Sequence, residues 1–181
     1  EWVEDSDKYH FTKAQKDKKQ GLIRKDGSVI LEPVYKLIEI SDTFPLITAI
    51  WENNDLIQFL FNVELKKWQR LPINDKVIQK EYDLYLVKHD NLLYILNLSL
   101  EDVIPGHFEN IVIGKEYCVV TKQGKKGLFS RSKTVIINNH KIFQPLLPVQ
   151  YDDIYSFWYK KFIIIKDNKQ GVYDLSEERV I

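Results

Sequence analysis

Residues 21–35, GLIRKDGSVILEPVY, contain an apolar segment, a polar turn and a second apolar segment. The turn at residues 25–27 (KDG) is typical of a tight connection between two antiparallel strands, because Asp and Gly accept the backbone angles that such turns require. Pro33 has no backbone N–H to donate to a strand ladder, so we expect it to end the second strand. The stretch therefore predicts a β-hairpin followed by a stop.

Both halves of this stretch recur downstream. Its first three residues, GLI, reappear as GLF at residues 127–129 and as GVY at residues 171–173. Residues 105–111 (PGHFENI) match residues 148–154 (PVQYDDI) in residue class, and residues 33–38 (PVYKLI) are the same phrase with one residue removed. Self-similarity of this kind indicates a chain built from duplicated structural units.

The recurrence defines four to five units of about 35–44 residues. Each unit is anchored on the residue after a polar turn, and an insertion around residues 138–144 lengthens one of them. The anchors are Gly21, Leu56, Leu93, Gly127 and Gly171. Within a single predicted domain, residues 1–181, the units are residues 9–50, 51–87, 88–121, 122–165 and 166–181.

The rest of the chain also predicts strands. Four more apolar segments, at residues 46–51, 82–87, 117–121 and 162–165, each end in a polar turn and are followed by another apolar segment. Well-capped helical stretches are missing, so the fold class predicted is all-β, with antiparallel β-hairpin or meander repeats. One unit cannot bury its own apolar face, and the repeats are therefore expected to form an open twisted array or a small propeller-like ring.

A closed ring needs a pairing between the two ends of the chain. Residues 9–12 (YHFT) are the candidate partner of the last apolar residues, 180–181. Closure of this kind removes exposed strand edges, which are hazardous because they pair with other chains.

Two phrases, KKQGLIRKDGSVILEPVY at residues 18–35 and PVQYDDIYSFWYKKFIIIKDNKQGVYDL at residues 148–175, resemble the WG-containing repeats of bacteria. A unit of that family has a Lys-x-Gly-Lys-Tyr/Trp-Gly hairpin, an Asp-Gly turn, Val-Ile-x-Pro and Tyr-Asp-Asp-Ile. Here Gln20, Lys126 and Gln170 replace the aromatic residue before the glycine, and residues 51–100 match only in spacing and apolar pattern. The resemblance implies a divergent member with repeated β-structure and no established catalytic residues.

Composition excludes several classes of protein. Of 181 residues, 44% are apolar, which is enough for a self-sufficient core. The 26 basic and 26 acidic side chains balance, so the strong positive field of many nucleic-acid-binding proteins is missing. The single cysteine, Cys118, cannot form an internal disulfide and lies in an apolar run typical of a buried thiol.

The sequence leaves the compartment open between the bacterial cytoplasm and export. No apolar run approaches the length of a membrane-spanning helix, and the acidic residues 1–5 do not form a signal peptide. Because the sequence contains no methionine, we expect a processed or excised fragment.

The candidate binding residues are aromatic. Residues 155–162 (YSFWYKKF) hold more aromatic side chains than a strand needs. Alternation along an extended strand places Tyr155, Phe157 and Tyr159 on one face, which is expected to enter the core, and leaves Trp158 on a solvated face. Tryptophan and tyrosine beside lysine dominate interface energetics. The predicted contact residues are therefore Trp158, Tyr155 and Tyr159, with Trp51 and Trp68 as weaker candidates.

Catalytic, metal and cofactor sites are not predicted. The four histidines lie far apart in the sequence, and neither a nucleophile elbow nor a phosphate-binding loop is present. Acidic pairs at residues 101–102, 152–153 and 177–178 lie at turns or repeat positions, where solvation explains them. Lysines crowd residues 13–25 and 122–133, and we interpret them as charges that discourage pairing of exposed strands rather than as a nucleic-acid site.

The predicted function is that of a non-enzymatic β-repeat module that mediates protein–protein interaction. The alternatives are a bacterial immunity or inhibitor protein that binds a toxin, and a module that binds carbohydrate or peptidoglycan through exposed tryptophan. Neither a cofactor nor a transmembrane segment is predicted.

Overall fold

A computed structural model describes residues 2–6, 11–43, 45–158 and 160–181, with residues 2–6 described by their backbone alone. These residues form 19 strands and no helix. The strands are β1 (Trp2–Ser6), β2 (Phe11–Lys16), β3 (Lys19–Arg24), β4 (Val29–Tyr35), β5 (Leu37–Ile40), β6 (Leu46–Ile50), β7 (Leu56–Asn62), β8 (Lys67–Arg70), β9 (Asp75–Glu81), β10 (Leu84–His89), β11 (Leu92–Asn97), β12 (Asn110–Ile113), β13 (Tyr117–Lys122), β14 (Lys125–Ile137), β15 (His140–Tyr151), β16 (Asp153–Trp158), β17 (Lys161–Lys166), β18 (Lys169–Asp174) and β19 (Arg179–Val180).

The strands form five sheets that follow one another along the chain. The first, second, fourth and fifth sheets have four strands in consecutive order, β1–β4, β5–β8, β12–β15 and β16–β19. The third sheet has three strands, β9–β11, and isolated bridges pair its last strand with the irregular segment that follows. Four consecutive antiparallel strands are the unit of a propeller blade. The prediction of an all-β chain of antiparallel meander repeats is confirmed.

The chain divides into two compact units, residues 1–77 with 98–100 and residues 78–97 with 101–181. Each has its own buried core. Fully buried residues at the centre of the first are Phe11, Leu22, Ile38 and Ile47. The second has one apolar cluster around Ile95, Ile104 and Cys118 and another around Leu128, Ile154 and Phe162.

The repeat anchors read from the sequence lie on the third strand of each sheet. Gly21, Gly127 and Gly171 are each the third residue of their strand, in β3, β14 and β18. The predicted unit boundaries after residues 50, 87, 121 and 165 fall at the ends of the second strands. A predicted unit such as residues 51–87 therefore joins the last two strands of one sheet to the first two of the next.

The fourth strand of the first sheet bulges beside Gly21. Gln20 pairs with Tyr35 and Leu22 pairs with Leu31, so two steps along β3 match four along β4. Pro33 lies inside the bulge, and β4 continues past it. The expectation that this proline ends the strand is wrong, because at a bulge on an edge strand no ladder bond requires its missing N–H.

The fourth sheet repeats this bulge. Lys126 pairs with Tyr151 and Leu128 pairs with Leu147, again two steps against four. The spacing from leucine to tyrosine is the same as in the first sheet, although Pro148 stands one position earlier in the bulge than Pro33 does. The first phrase therefore has no deletion. The bulge has the same size in both sheets, and only the position of the proline within it differs.

The acid that follows the aromatic residue of this phrase caps a turn. The Glu109 carboxylate accepts hydrogen bonds from the backbone N–H groups of Gln123 (2.7 Å) and Gly124 (3.1 Å). In the fifth sheet, Asp152 accepts one from the N–H of Asp167 (2.7 Å) at the equivalent turn. These acids were expected only to be solvated; instead each ties the start of a sheet to its own central hairpin.

The predicted pairing between the chain ends is wrong where the structure describes it. Tyr9 and His10 lie outside the described residues. Phe11 and Thr12 belong to β2, which pairs with β1 on one side and with β3 on the other. Because both edges of β2 are occupied, it has no edge left for the last strand.

Candidate functional site

Three neighbouring aromatic side chains are exposed at the end of β16. The exposed fractions are 45% for Tyr155, 62% for Phe157 and 72% for Trp158. Tyr159 lies outside the described residues. We call Tyr155, Phe157 and Trp158 the aromatic tip.

Two features explain why all three are exposed. Ile154 is buried, so alternation along β16 places Tyr155 and Phe157 on the opposite, exposed face. Ser156 pairs with Phe162, but Trp158 pairs with Lys161, so a register shift interrupts the ladder just before Trp158. The expectation that the face of Tyr155 and Phe157 enters the core is therefore wrong, whereas Trp158 is exposed as expected.

The base of the tip is firmly packed. Phe162 is fully buried, and its ring meets that of Tyr117 edge-on at 4.7 Å between centroids. The carbonyl of Lys160 accepts a hydrogen bond from the backbone N–H of Leu175 (2.8 Å), and the Lys161 ammonium lies 3.6 Å from the Asp174 carboxylate. Exposed aromatic groups on a fixed base lose little conformational entropy when a partner binds.

Trp51 and Trp68 have a different environment. Trp51 packs on the ring of Tyr35 at 4.8 Å between centroids, and Trp68 meets Phe11 and Phe61 edge-on at 5.8 and 5.5 Å. Both are half-buried against the core of the first unit. The structure thus places these two candidates within packed aromatic clusters and the aromatic tip on a surface of the second unit.

Five of the lysines and arginines in residues 13–25 and 122–133 form ion pairs with acidic side chains. Lys125 binds Asp152 and Lys126 binds Asp153. The pKa of Asp152 is lowered, first by the hydrogen bond from Lys125 and then by that from the Asp167 N–H. Three further pairs are Lys19 with Glu52, Arg131 with Asp83, and Lys133 with Glu178. Paired charges of this kind present a weak net field to an anionic partner.

A cluster around His107 was not visible in the sequence. The His107 ring lies 5.6 Å from that of His89 and 5.3 Å from that of Tyr94. Nearby, Asp102 accepts a hydrogen bond from the Ile104 N–H (3.1 Å), and burial raises the pKa of its carboxyl to about 6. The irregular segment after β11 brings together residues that local pattern alone does not connect.

Two negative findings hold for the part of the chain that the structure describes. No group of three or more His, Cys, Asp or Glu side chains is arranged to hold a metal ion. No helix there is long and apolar enough to cross a membrane.

Comparisons with known proteins identify neither a family nor a named relative. No family model and no curated protein matches the chain. Among solved structures, Hsv2 of Kluyveromyces lactis matches with 8% identity and a TM-score of 0.37, over 96% of this chain and 59% of that chain. Two further structures match similarly: Hsv2 with complete loop 6CD (8%, TM-score 0.37, 95% and 58%) and Hsv2 with that loop replaced by a Gly-Ser linker (10%, 0.34, 92% and 59%).

The chain spans less than three fifths of the length of these structures. The likeness does not assign a family, and the resemblance to WG-containing repeats stays a prediction. The class defined by the fold is an all-β protein built from blade-like antiparallel meanders.

Proposed function

We propose that this chain is a non-enzymatic module that binds another protein through the aromatic tip. The observation that carries the proposal is the exposure of Tyr155, Phe157 and Trp158 within four consecutive residues at the end of one strand. Burying large exposed aromatic side chains in an interface removes apolar surface from water, which favours binding. Tryptophan and tyrosine are enriched among the residues that dominate interface energies.

Charged neighbours favour a protein partner. The half-buried Lys160 and Lys161, which follow the tip closely in the sequence, lie near Glu116 (3.8 Å) and the buried Asp174 (3.6 Å), so charged groups of both signs lie close to the tip in the chain. An apolar centre with a mixed polar rim is the usual composition of a protein interface.

The described acidic pairs support a non-enzymatic role. Asp152 and Asp153 bind lysines, and Asp152 also caps a turn. Asp102 is engaged by backbone N–H groups within its own loop. These carboxylates stabilise turns and pair with lysines, and this structural role explains why they are present.

The proposal is tested by affinity capture from the native host, followed by mass spectrometry, with the wild type and Trp158→Ala side by side. We expect a partner that wild type retains and the variant loses, and a drop in affinity of at least tenfold for the purified pair, because an interface tryptophan contributes about 2 kcal/mol or more. The matched control is Ile73→Ala, an equally exposed apolar residue in the first unit. Equal capture by all three proteins contradicts the proposal.

Carbohydrate is the second candidate ligand, since an exposed indole can also stack on the apolar face of a sugar ring. A glycan array separates the two functions. Binding of a glycan that is lost in Trp158→Ala, without any captured protein, favours the carbohydrate function. A tight one-to-one complex with a toxin encoded next to this protein identifies the immunity alternative.

A further inference from the structure

The hairpin of β14 and β15 extends beyond the fourth sheet as an arm. These strands have 13 and 12 residues, whereas their counterparts in the first sheet, β3 and β4, have 6 and 7. β13 accompanies β14 only as far as Ser130, which pairs with Tyr117. From Thr134 to Ile137, β14 pairs with β15 alone, and no other described strand lies along its outer edge.

The turn at the end of the arm determines which backbone groups face that open edge. Asn138 and Asn139 both have positive φ (50° and 64°), as a two-residue type I′ turn requires. In such a turn the flanking pair, Ile137 and His140, exchanges hydrogen bonds, and the pairs then alternate. The N–H and C=O groups of Thr134 and Ile136 therefore point away from β15, toward the open edge.

This edge lacks the protection that other edges of the molecule have. Residues 134–140 (TVIINNH) contain neither a formal charge at neutral pH nor a proline. Exposed edges are usually blunted by charge, proline, short length or covering segments. The other described edge strands all carry such features. β1 has Glu4 and Asp5, β4 has Glu32 and Pro33, β5 has Glu39, β8 has Lys67 and Arg70, β9 has Lys76 and Lys80, β15 has Pro145 and Pro148, and β16 has Asp153. β12 and β19 are short, and β11 is covered by bridges to Asp102 and Phe108.

We propose that the open edge of β14 pairs antiparallel with the same edge of a second copy of this chain. The register that uses every outward-facing group has its two-fold axis at Val135. Thr134 of each copy then pairs with Ile136 of the other, and Val135 lies opposite itself. Because each such hydrogen-bonded pair exchanges two bonds, the two copies share four backbone hydrogen bonds.

A second copy fits this edge because the arm is complementary to itself. No like charges meet when two uncharged strands pair, and a C2 contact closes after two copies, so it does not propagate into a fibre. Ile136 is 77% exposed, and in this register it lies beside Thr134 of the second copy. Cross-strand contacts between β-branched side chains stabilise such pairs.

The contact is small, so the dimer is expected to be weak. Three residues from each copy bury far less than the roughly 1,600 Å² of a standard interface. We therefore expect association that depends on concentration, and sedimentation equilibrium at loading concentrations from about 10 µM to about 1 mM covers the range in which weak pairs form.

A cysteine scan tests the register directly. In Val135→Cys, the two introduced residues form a non-hydrogen-bonded pair across the axis with Cα atoms about 4.5 Å apart, which is within the range of a disulfide. Oxidised glutathione should convert this variant to a covalent dimer. The matched control is Ile137→Cys, also on the arm and 48% exposed, whose two copies are about 13 Å apart along the strand in this register. The native Cys118 thiol is fully buried, and burial raises its pKa to about 12, so it does not compete.

A second pair of variants tests the association without a covalent link. Ile136→Lys brings two charges to the edge and should reduce dimerisation at least tenfold, whereas Ile136→Thr keeps a β-branched uncharged residue and should retain most of it. Because Ile136 is exposed, neither variant removes a core contact, and we expect both to fold. Circular dichroism checks this. The proposal is overturned if wild type stays monomeric up to 1 mM, if Ile136→Lys dimerises as wild type does, or if Ile137→Cys cross-links as readily as Val135→Cys. Pairing with a foreign strand instead would leave the purified protein monomeric and unlinked, which also overturns it.

Discussion

Gly21 and Gly171 occupy the same place in their sheets but have different surroundings. A Cβ atom added to Gly21 would lie 2.6 Å from the Leu31 carbonyl oxygen and 2.8 Å from the Pro33 nitrogen, both backbone atoms of the bulged β4. A Cβ at Gly171 would meet only side chains, Ile164 and Val180, at an ordinary 3.5 Å. The repeat therefore does not itself require glycine. The requirement arises where the fourth strand bulges onto the third.

The third sheet has no glycine at this position. Leu93 pairs with Phe108, as Gln20 pairs with Tyr35 in the first sheet, so Tyr94 takes the place of the glycine and the predicted anchor Leu93 is one residue too early. The segment beside it is irregular, and the Tyr94 side chain is buried against His107. Where no proline bulge presses on the third strand, an aromatic residue fits.

The largest effect is expected for Gly21→Ala. The added methyl group meets backbone atoms that no side-chain rotation can move, so β4 must shift, and we expect a loss of about 3 kcal/mol in the free energy of unfolding. Chemical denaturation followed by tryptophan fluorescence measures it, because Trp51 and Trp68 pack in the same unit. A loss below about 1 kcal/mol would show that β4 moves at little cost and would contradict the inference that its bulge requires glycine at position 21.

A smaller loss is expected for Gly127→Ala. Here the nearest atom to the added Cβ is the Val149 Cγ2, a side-chain atom at 2.7 Å, with the Val149 backbone at 3.1 Å. Because part of the clash can be relieved, we expect a loss of about 2 kcal/mol. Thermal unfolding monitored by far-UV circular dichroism gives the value.

The double variant Gly127→Ala/Val149→Ala sharpens this result. If the Val149 side chain causes the clash, the two changes together cost less than the sum of the single changes. Strict additivity would place the clash in the backbone, as at Gly21.

Asp102, in the segment that replaces a fourth strand in the third sheet, is expected to make stability depend on pH. Burial raises its pKa in the folded protein to about 6, while the hydrogen bond from the Ile104 N–H and the nearby His107 oppose the rise. Since the folded pKa lies above that of the unfolded chain, the stabilisation is complete below about pH 4 and is lost as pH rises through about 6. Asp102→Asn removes the ionisation, and we expect it to raise stability at pH 7.5 by about 1 kcal/mol.

Unfolding of wild type and Asp102→Asn at pH 5 and pH 7.5 checks this. The difference between the two proteins should be larger at the higher pH. Glu101→Gln makes the same carboxyl-to-amide change at an exposed neighbour and serves as control. A difference that is equal at both pH values contradicts a buried ionisable Asp102.

The fold was largely predictable from the sequence because its strongest local signals are repeated. The glycines, the two-residue turns and the Tyr-Asp-Asp-Ile phrase all mark equivalent strands. What the sequence did not reveal depends on contacts between distant residues. The bond from Glu109 to the turn at Gln123 and the bulge around Pro33 are examples, since both depend on pairing rather than on residue type.

The candidate site was predictable only in part, for the same reason. Composition pointed to residues 155–162, but alternation does not say which face of a strand is buried. Ile154 enters the core, so Phe157 lies on the exposed face, and a register shift precedes Trp158. Trp51 and Trp68 have the same residue type as Trp158, and only the packed rings of Tyr35 and Phe11 distinguish them.

The smallest effect is expected for Gly171→Ala. The added methyl group finds ordinary contact distances, and alanine lowers the conformational entropy of the unfolded chain, so stability should change by no more than about 0.5–1 kcal/mol, toward greater stability. The shift in melting temperature is correspondingly a few degrees upward. A destabilisation as large as that of Gly21→Ala would mean that glycine serves the third strand in every copy, whether or not a fourth strand bulges against it, and that the contrast between the first and last sheets has another cause.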